Sequence, residues 1–297
     1  MLPEQRRAYL ILHICVFIWG FTAILGNLIT LKETVLVWYR MGITSLSLMF
    51  LPILWKGMRR ISFRAVLQLS GIGVLVALHW ITFYGSIKYS LASVALTCLA
   101  TISLFTAFLE PLMLKSKFQM RQVLLALAIL PAIYLLFHFS GQYTLGIIMG
   151  LLSSLFASIF TILNKKVIVK YDAVSVTFVE LGTGFLFISI VLPVYFNFYP
   201  ETVFLPTSSD WIYLLILSIV CTSIPFVLSI NTLRHLSAFT GNLAVNLEPV
   251  YGIIMASLLF KDHKQLDSGF YVGACIIIGA VFMEPLMMKR RSELPIK

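Results

Sequence analysis

The sequence predicts an all-α integral membrane protein with ten transmembrane helices, arranged as two inverted-topology repeats of five helices. Three observations support this prediction: the composition, the length of the apolar stretches and the placement of lysine and arginine. The 297 residues are 60% hydrophobic and 11% charged, with a mean hydropathy of +0.97. A soluble domain of this composition would expose large apolar patches, so we expect the chain to lie in a lipid bilayer.

Ten apolar stretches are long enough to cross a membrane, because a bilayer core of about 30 Å requires about 20 helical residues. In chain order these predicted spans are residues 8–29, 34–55, 65–87, 91–114, 121–140, 143–163, 173–196, 211–233, 238–260 and 267–288. The gaps between them are short, and the longest covers about residues 197–210. We therefore expect no soluble domain, and all function should lie within the helix bundle.

The basic residues orient the chain in the membrane. Seventeen of the 22 lysines and arginines lie at the termini or in even-numbered gaps, whereas Lys32, Lys88, Lys261 and Lys264 lie in odd-numbered gaps and Arg40 lies inside a span. Because positive residues beside spans stay in the cytoplasm, both termini are predicted to be cytoplasmic and the protein to lie in the cytoplasmic membrane. The basic clusters suit anionic lipid headgroups as partners, and nucleic acid is not expected as a partner.

The two halves of the chain resemble each other weakly. Residues 83–93 join spans three and four, residues 228–238 join spans eight and nine, and both junctions are tight and rich in Ser and Ala. Five spans are an odd number, so the second half must enter the membrane from the opposite side. The sequence thus predicts two five-helix repeats, residues 1–140 and 141–297, related by inversion.

Short motifs along the whole chain carry a family resemblance. They are Trp19-Gly20, Arg40, the two tight junctions, and Leu247-Glu248-Pro249-Val250 followed by Leu258-Leu259-Phe260-Lys261-Asp262. With ten spans and an inversion, the chain resembles the EamA-type members of the drug/metabolite transporter superfamily, although Lys261-Asp262 stands where that family commonly has Gly-Glu. The resemblance implies export or exchange of small metabolites, often amino acids, through a cavity between the halves.

Glu248 is the first candidate for a substrate-binding residue. A charged side chain at mid-membrane costs about 2.5–3.5 kcal/mol, so it needs a partner or a water-filled cavity. Pro249 follows it and is expected to kink the helix, because proline lacks a backbone N–H. Asn242 and Asn246, four residues apart on one helix face, are predicted to line the same cavity. The alternative is that these asparagines hydrogen-bond neighbouring helices together.

Arg40 is the only lysine or arginine that lies within a predicted span away from its ends. It lies about 10 Å deep at 1.5 Å per residue, and its guanidinium suits a carboxylate from a substrate or from a neighbouring helix.

Aromatic residues and a histidine suggest one side of a pocket. Trp19, His79, Trp80, Tyr84 and Tyr251 are predicted to form an aromatic-lined site for amphiphilic or cationic metabolites. The ordinary pKa of histidine lies close to neutrality, so His79 is also a candidate for proton exchange. Interhelical packing of these side chains is the alternative.

Two further intramembrane acids are predicted to act in coupling or gating. Glu110 shares a polar helix face with Ser103 and Thr106, and it suits either a cytoplasmic gate contact or a substrate or proton site. Glu180 lies in span seven beside Gly182, and its assignment is equally open. Protons are the coupling ion suggested by the intramembrane positions of Glu248, Glu110 and His79.

Taken with the resemblance, these features predict a secondary transporter, an exporter or exchanger working by alternating access, with a small-molecule substrate. No nucleotide-binding loop is present in the sequence, and no cofactor or metal site is expected. A structural or regulatory membrane subunit is the alternative. An intramembrane lipid-modifying enzyme is less favoured, because spacings such as HxxxD or HExxH are missing from the sequence.

Overall fold

The computed structural model describes residues 3–136, 143–260, 272, 275, 276 and 278–283. These residues form helices and the turns that connect them, with no β-strand among them. The prediction of an all-α fold is confirmed for this part of the chain.

The helices follow one another with short connections. In chain order they are α1 (Pro3–Leu28), α2 (Glu33–Met49), α3 (Pro52–Met58), α4 (Phe63–Tyr89), α5 (Ala92–Leu99), α6 (Ile102–Leu114), α7 (Met120–Leu136), α8 (Thr144–Val167), α9 (Ala173–Phe198), α10 (Ser208–Leu215), a π-helical segment (Ile216–Ser223), α11 (Ile224–Thr232), α12 (Ala238–Val245) and α13 (Glu248–Phe260).

Five elements in the described part of the chain are long and apolar enough to cross a membrane. They are α1, α4, α8, α9 and the continuous helix Ser208–Thr232, which α10, the π-helical segment and α11 form together. α2 and α3 make a sixth if they count as one span. This count is smaller than the ten spans that the sequence predicts. Predicted spans four and nine each consist of two short helices, α7 has only 17 described residues, and most of predicted span 267–288 lies outside the described residues.

The second predicted span, 34–55, is interrupted. α2 ends at Met49, and α3 begins at Pro52 after a bend of 92°. Proline lacks an N–H and disfavours helical geometry in the preceding residue, and Leu51 is accordingly extended, with φ −87° and ψ 118°. The prediction of one continuous helix through residue 55 was therefore wrong.

Two other predicted spans are broken near their middle. α5 gives way to α6 at residues 100–101, and α12 gives way to α13 at residues 246–247. The second break lies just before Pro249, where the sequence predicted a kink, whereas the first has no proline beside it. Ala238 lies 146 residues after Ala92, and the other three helix boundaries keep the same offset of 146.

Small residues bring the helices together. Gly146, Gly150 and Ser154 of α8 are buried against α4 and α5, and the Ser154 hydroxyl donates to the Cys98 carbonyl at 2.7 Å. α4 and α9 cross at two glycines: a methyl group on Gly184 would lie 2.8 Å from the carbonyl oxygen of Gly73. Close backbone approach of this kind is how membrane helices pack. It packs α4 directly against α9.

Candidate functional site

A cavity of about 100 Å³ lies among α1, α2, α4, α8, α11 and the two broken helices. Its wall combines aromatic rings with a small set of polar side chains. The aromatic members are Trp19, Trp80, Phe83, Phe160 and Phe226, and the polar members are Thr22, Arg40, His79, Thr161, Asn164, Ser229, Thr232, Asn242 and Glu248. Among the described residues, the charged groups in this wall are Arg40 and Glu248.

Arg40 is held in place by three neutral groups. Its Nε donates to the Thr222 hydroxyl and its Nη1 to the Tyr84 hydroxyl, both at 2.8 Å, and the guanidinium carbon lies 3.8 Å from the centre of the Trp80 ring. The residue is only 3% exposed. Among the described residues, no carboxylate oxygen lies within 4.0 Å of it. Arg40 is thus a buried positive charge without a negative partner in the described part of the chain.

The position of Thr222 depends on the π-helical segment. Pro225 has no N–H to donate to the carbonyl four residues earlier, and the helix widens just before it. In this widened turn the Thr222 hydroxyl donates to the Leu217 carbonyl, five residues earlier, at 2.6 Å. Its oxygen also accepts from Arg40. Sequence reasoning missed Thr222, and the signal was a polar pair, Thr222-Ser223, just before a proline inside an apolar span.

Glu248 begins α13, directly after the break in predicted span nine. Its carboxylate accepts a hydrogen bond from the Thr22 hydroxyl at 3.2 Å, and it is 5% exposed. No lysine, arginine or histidine nitrogen of the described residues lies within 4.0 Å. The partial positive charge of a helix N-terminus stabilises a carboxylate at this position. Thr22 was also missed from the sequence, although it lies three residues after Trp19 on the same helix face.

The predicted aromatic site differs from the observed one. Trp19, His79 and Trp80 line the cavity, but the Arg40 guanidinium already covers a face of Trp80. Tyr251 lies outside the cavity wall and packs edge-on against Phe17, at 5.5 Å between ring centres. His79 Nδ1 lies 3.0 Å from the Ser153 carbonyl oxygen of α8. Three of the five predicted residues thus line the cavity, whereas Tyr84 and Tyr251 lie outside its wall.

Tyr84 and the two asparagines have mainly supporting contacts. Tyr84 is fully buried beneath Arg40 and does not reach the cavity wall. Asn242 lines the cavity and donates to the Thr106 hydroxyl at 2.8 Å, whereas Asn246 lies outside the wall and donates to the Ser103 hydroxyl at 3.0 Å. Both asparagines therefore hydrogen-bond the region of α12 to α6. This is the contact between neighbouring helices that the sequence analysis gave as the alternative to lining the cavity.

The two predicted coupling or gating acids lie outside the cavity wall. Glu110 accepts from the backbone N–H groups of Ala238 and Phe239, at 3.1 and 2.8 Å, and so joins α6 to the start of α12. Glu180 is fully buried, and its Oε2 accepts from Asn164 Nδ2 at 3.2 Å. Asn164 does line the cavity. It was missed because it falls one residue beyond the predicted end of span six.

A bundle of apolar helices around a cavity with buried charged groups is typical of membrane transport proteins. The chain matches the EamA-like transporter family over two segments, residues 6–138 and 144–283, and it belongs to this family. It is therefore a multi-pass membrane transporter with a small-molecule substrate.

Individual relatives agree with this family. An uncharacterized transporter of Archaeoglobus fulgidus is 24% identical over 300 residues, covering 94% of this chain and 97% of the relative. A second uncharacterized transporter of that organism is 26% identical over 163 residues, which span 54% of this chain and 56% of the relative. A solved crystal structure with 15% identity covers 95% of this chain and 98% of its own, with a TM-score of 0.73. That likeness concerns the fold alone.

Proposed function

We infer that this protein is a secondary transporter that moves small zwitterionic metabolites, such as amino acids, across the cytoplasmic membrane. One observation carries this proposal. Arg40 and Glu248 line the same cavity with opposite charges, and neither has an oppositely charged partner within 4.0 Å among the described residues. A buried charge without a partner is costly. A substrate with a carboxylate for Arg40 and an ammonium group for Glu248 would supply both partners at once.

The geometry at Arg40 favours a carboxylate ligand. A guanidinium has five N–H donors in a planar fork, and the bonds to Thr222 and Tyr84 use two of them. The remaining donors suit the two oxygens of a carboxylate. Because Trp80 and Tyr84 hold the fork in one orientation, little entropy is lost when the substrate binds.

The two broken helices support the inverted repeat and the ten-span arrangement. Leu99 and Ile102 flank the first break, Val245 and Glu248 flank the second at the offset of 146 residues, and all four line the cavity. In transporters built from inverted repeats, discontinuous spans commonly meet at the substrate site. We therefore take α5 with α6, and α12 with α13, as corresponding broken spans of two five-helix repeats, residues 1–140 and 141–297.

The cavity extends toward the side that the basic residues assign to the cytoplasm. Asn164 and Thr232 lie at that end of its wall, and Lys165, Lys166 and Arg234 follow them directly. At the opposite end the Thr30 hydroxyl donates to Asp210 at 2.6 Å and joins the turn after α1 to α10. This arrangement suits a cytoplasm-facing state of an alternating-access cycle, with both termini in the cytoplasm. Such a state would load substrate for export or exchange, with protons as the coupling ion.

Counterflow in reconstituted vesicles tests the proposal. Purified protein in liposomes loaded with an unlabelled mixture of the common amino acids is expected to accumulate a labelled amino acid transiently, because exchange through one site needs no energy source. Protein-free liposomes treated identically are the control. If none of the common amino acids exchanges while the protein remains folded, the substrate class proposed here is wrong.

A further inference from the structure

We propose that Glu180 is the proton-carrying residue of this transporter, and that Asn164 links its protonation to the cavity. The proposal rests on the proposed transport function and assigns the coupling site within it. Its basis is the geometry of two buried side chains that contact each other, Glu180 on α9 and Asn164 on α8.

Glu180 is enclosed by protein. It is fully buried, and α4 covers α9 so closely that a methyl group on Gly73 would collide with the Glu180 carbonyl oxygen. Among the described residues its side chain has one hydrogen-bond partner, Asn164, whose Nδ2 donates to Oε2 at 3.2 Å. Lipid and bulk water are therefore kept from this carboxyl group.

No charged group in the described part of the chain compensates Glu180. The charged or titratable side chains on the surrounding helices are Glu33, Tyr39 and Arg40 on α2, Lys56 on α3, Arg64, His79, Tyr84, Lys88 and Tyr89 on α4, and Lys165 and Lys166 on α8, with none on α11. None of them hydrogen-bonds Glu180, and no cationic nitrogen among them lies within 4.0 Å of it. An ionised carboxylate in such a site is strongly disfavoured, so the neutral acid is the form that fits this conformation.

The unsatisfied atoms agree with a proton on Glu180. Glu180 Oε1 and Asn164 Oδ1 are both buried and without a hydrogen-bond partner. Two acceptors cannot satisfy each other, but a protonated Oε1 is a donor. A carboxylic acid and an amide then form two parallel hydrogen bonds, Nδ2–H to Oε2 and Oε1–H to Oδ1. A single proton therefore satisfies both atoms.

The ionised form also has a donor within its own helix. Thr177 lies three residues before Glu180 on α9, and its buried hydroxyl has no partner. When the carboxyl group loses its proton, this hydroxyl supplies a donor to the carboxylate. The site thus offers hydrogen bonds to either protonation state, which a proton carrier requires.

Asn164 connects the site to the cavity. It lines the wall one helical turn from Thr161, which is also in the wall. When the Asn164 side chain turns toward the cavity, it leaves Glu180 and admits cavity water to the carboxyl group. The step is then a simple dissociation: the carboxylic acid becomes a carboxylate, and the proton passes to water in the cytoplasm-facing cavity. Reprotonation follows from the other side, so protons move opposite to exported substrate.

The test separates substrate exchange from proton movement. Glu180→Gln keeps two hydrogen bonds with Asn164, because a glutamine amide mimics the protonated acid, but it cannot release a proton. We expect it to retain counterflow at equal pH on both sides. With a pH-sensitive dye inside the vesicles, we expect substrate-driven proton flux to fall at least about tenfold. Thr183→Val, which removes a hydroxyl bonded within α9, is the matched control and should retain both activities.

Each outcome decides the proposal. Glu180→Asp restores a titratable group and should recover part of the proton flux; Glu180→Leu replaces Glu180→Gln if the latter does not purify in folded form. Proton flux of wild-type size in Glu180→Gln would overturn the assignment, as would net transport of substrate by the wild-type protein, down a substrate gradient, that moves no protons. Absence of counterflow in the wild-type protein would instead contradict the proposed transport function.

Discussion

Arg40→Lys is expected to lower amino acid counterflow by about 10- to 100-fold while leaving the helical fold intact. Lysine has a compact ammonium group in place of the planar guanidinium. This group cannot donate to Thr222 and Tyr84 and also cover the Trp80 ring. The lost orientation removes at least one hydrogen bond to a charged group, a contribution of about 1.5–3 kcal/mol. Since about 1.4 kcal/mol corresponds to a factor of ten, the loss falls in that range. The measurement is the initial rate per folded protein in liposomes.

Two further variants show which property of Arg40 a loss of transport reflects. Tyr84→Phe removes one hydroxyl that orients the guanidinium but leaves the charge, the Thr222 bond and the donors that face the substrate, so we expect a smaller loss, about fivefold, or about 1 kcal/mol. Arg64→Lys changes an exposed arginine at the start of α4 and should transport at the wild-type rate. Arg40→Lys with wild-type transport would mean that the guanidinium does not recognise substrate.

Glu248→Gln is expected to reduce counterflow of a zwitterionic substrate by about 10- to 100-fold, without loss of thermal stability. Glutamine can still accept the hydrogen bond from Thr22, and the burial of an unpaired carboxylate is relieved. The substrate ammonium, however, loses its charged partner, which is worth about 1.5–3 kcal/mol. Transport and thermal unfolding in detergent are to be measured on the same preparation.

The matched control for this variant is Thr22→Val, which removes the neighbouring hydroxyl and keeps the carboxylate. We expect Thr22→Val to lose only a fewfold in transport, because the single hydroxyl proton is shared between the Trp19 carbonyl and Glu248 and such a weak donor contributes about 1 kcal/mol. Equal losses in the two variants would argue that Glu248 acts through its contact with α1. A rate within twofold of wild type in Glu248→Gln would remove it from the substrate site.

The long helices were predictable because hydropathy and length alone identify them. α4, α8 and α9 each begin and end close to the predicted spans 65–87, 143–163 and 173–196. The breaks within predicted spans were harder to predict. Pro52 and Pro249 are visible in the sequence, but the break between α5 and α6 has no proline at residues 100–101, and only the packed structure reveals it.

The site was predictable where burial of charge leaves few alternatives. Arg40 and Glu248 had to face a cavity or a partner, and the structure brings both to one cavity. Hydroxyl and amide groups carry a weaker signal, because Ser and Thr often bond to their own helix backbone. Thr222 illustrates the difficulty: the π-helical turn changes the face on which it lies, so helical periodicity does not predict its contact with Arg40.

The most direct test of zwitterion recognition compares three ligands on the purified wild-type protein. They are an amino acid that exchanges in liposomes, its amide, which lacks the carboxylate charge, and the corresponding acid without the amine. A ligand that binds the folded state raises its unfolding temperature. We expect the amino acid to raise it and both analogues to have no effect at the same concentration. An increase of equal size with either analogue would contradict recognition by Arg40 and Glu248 together.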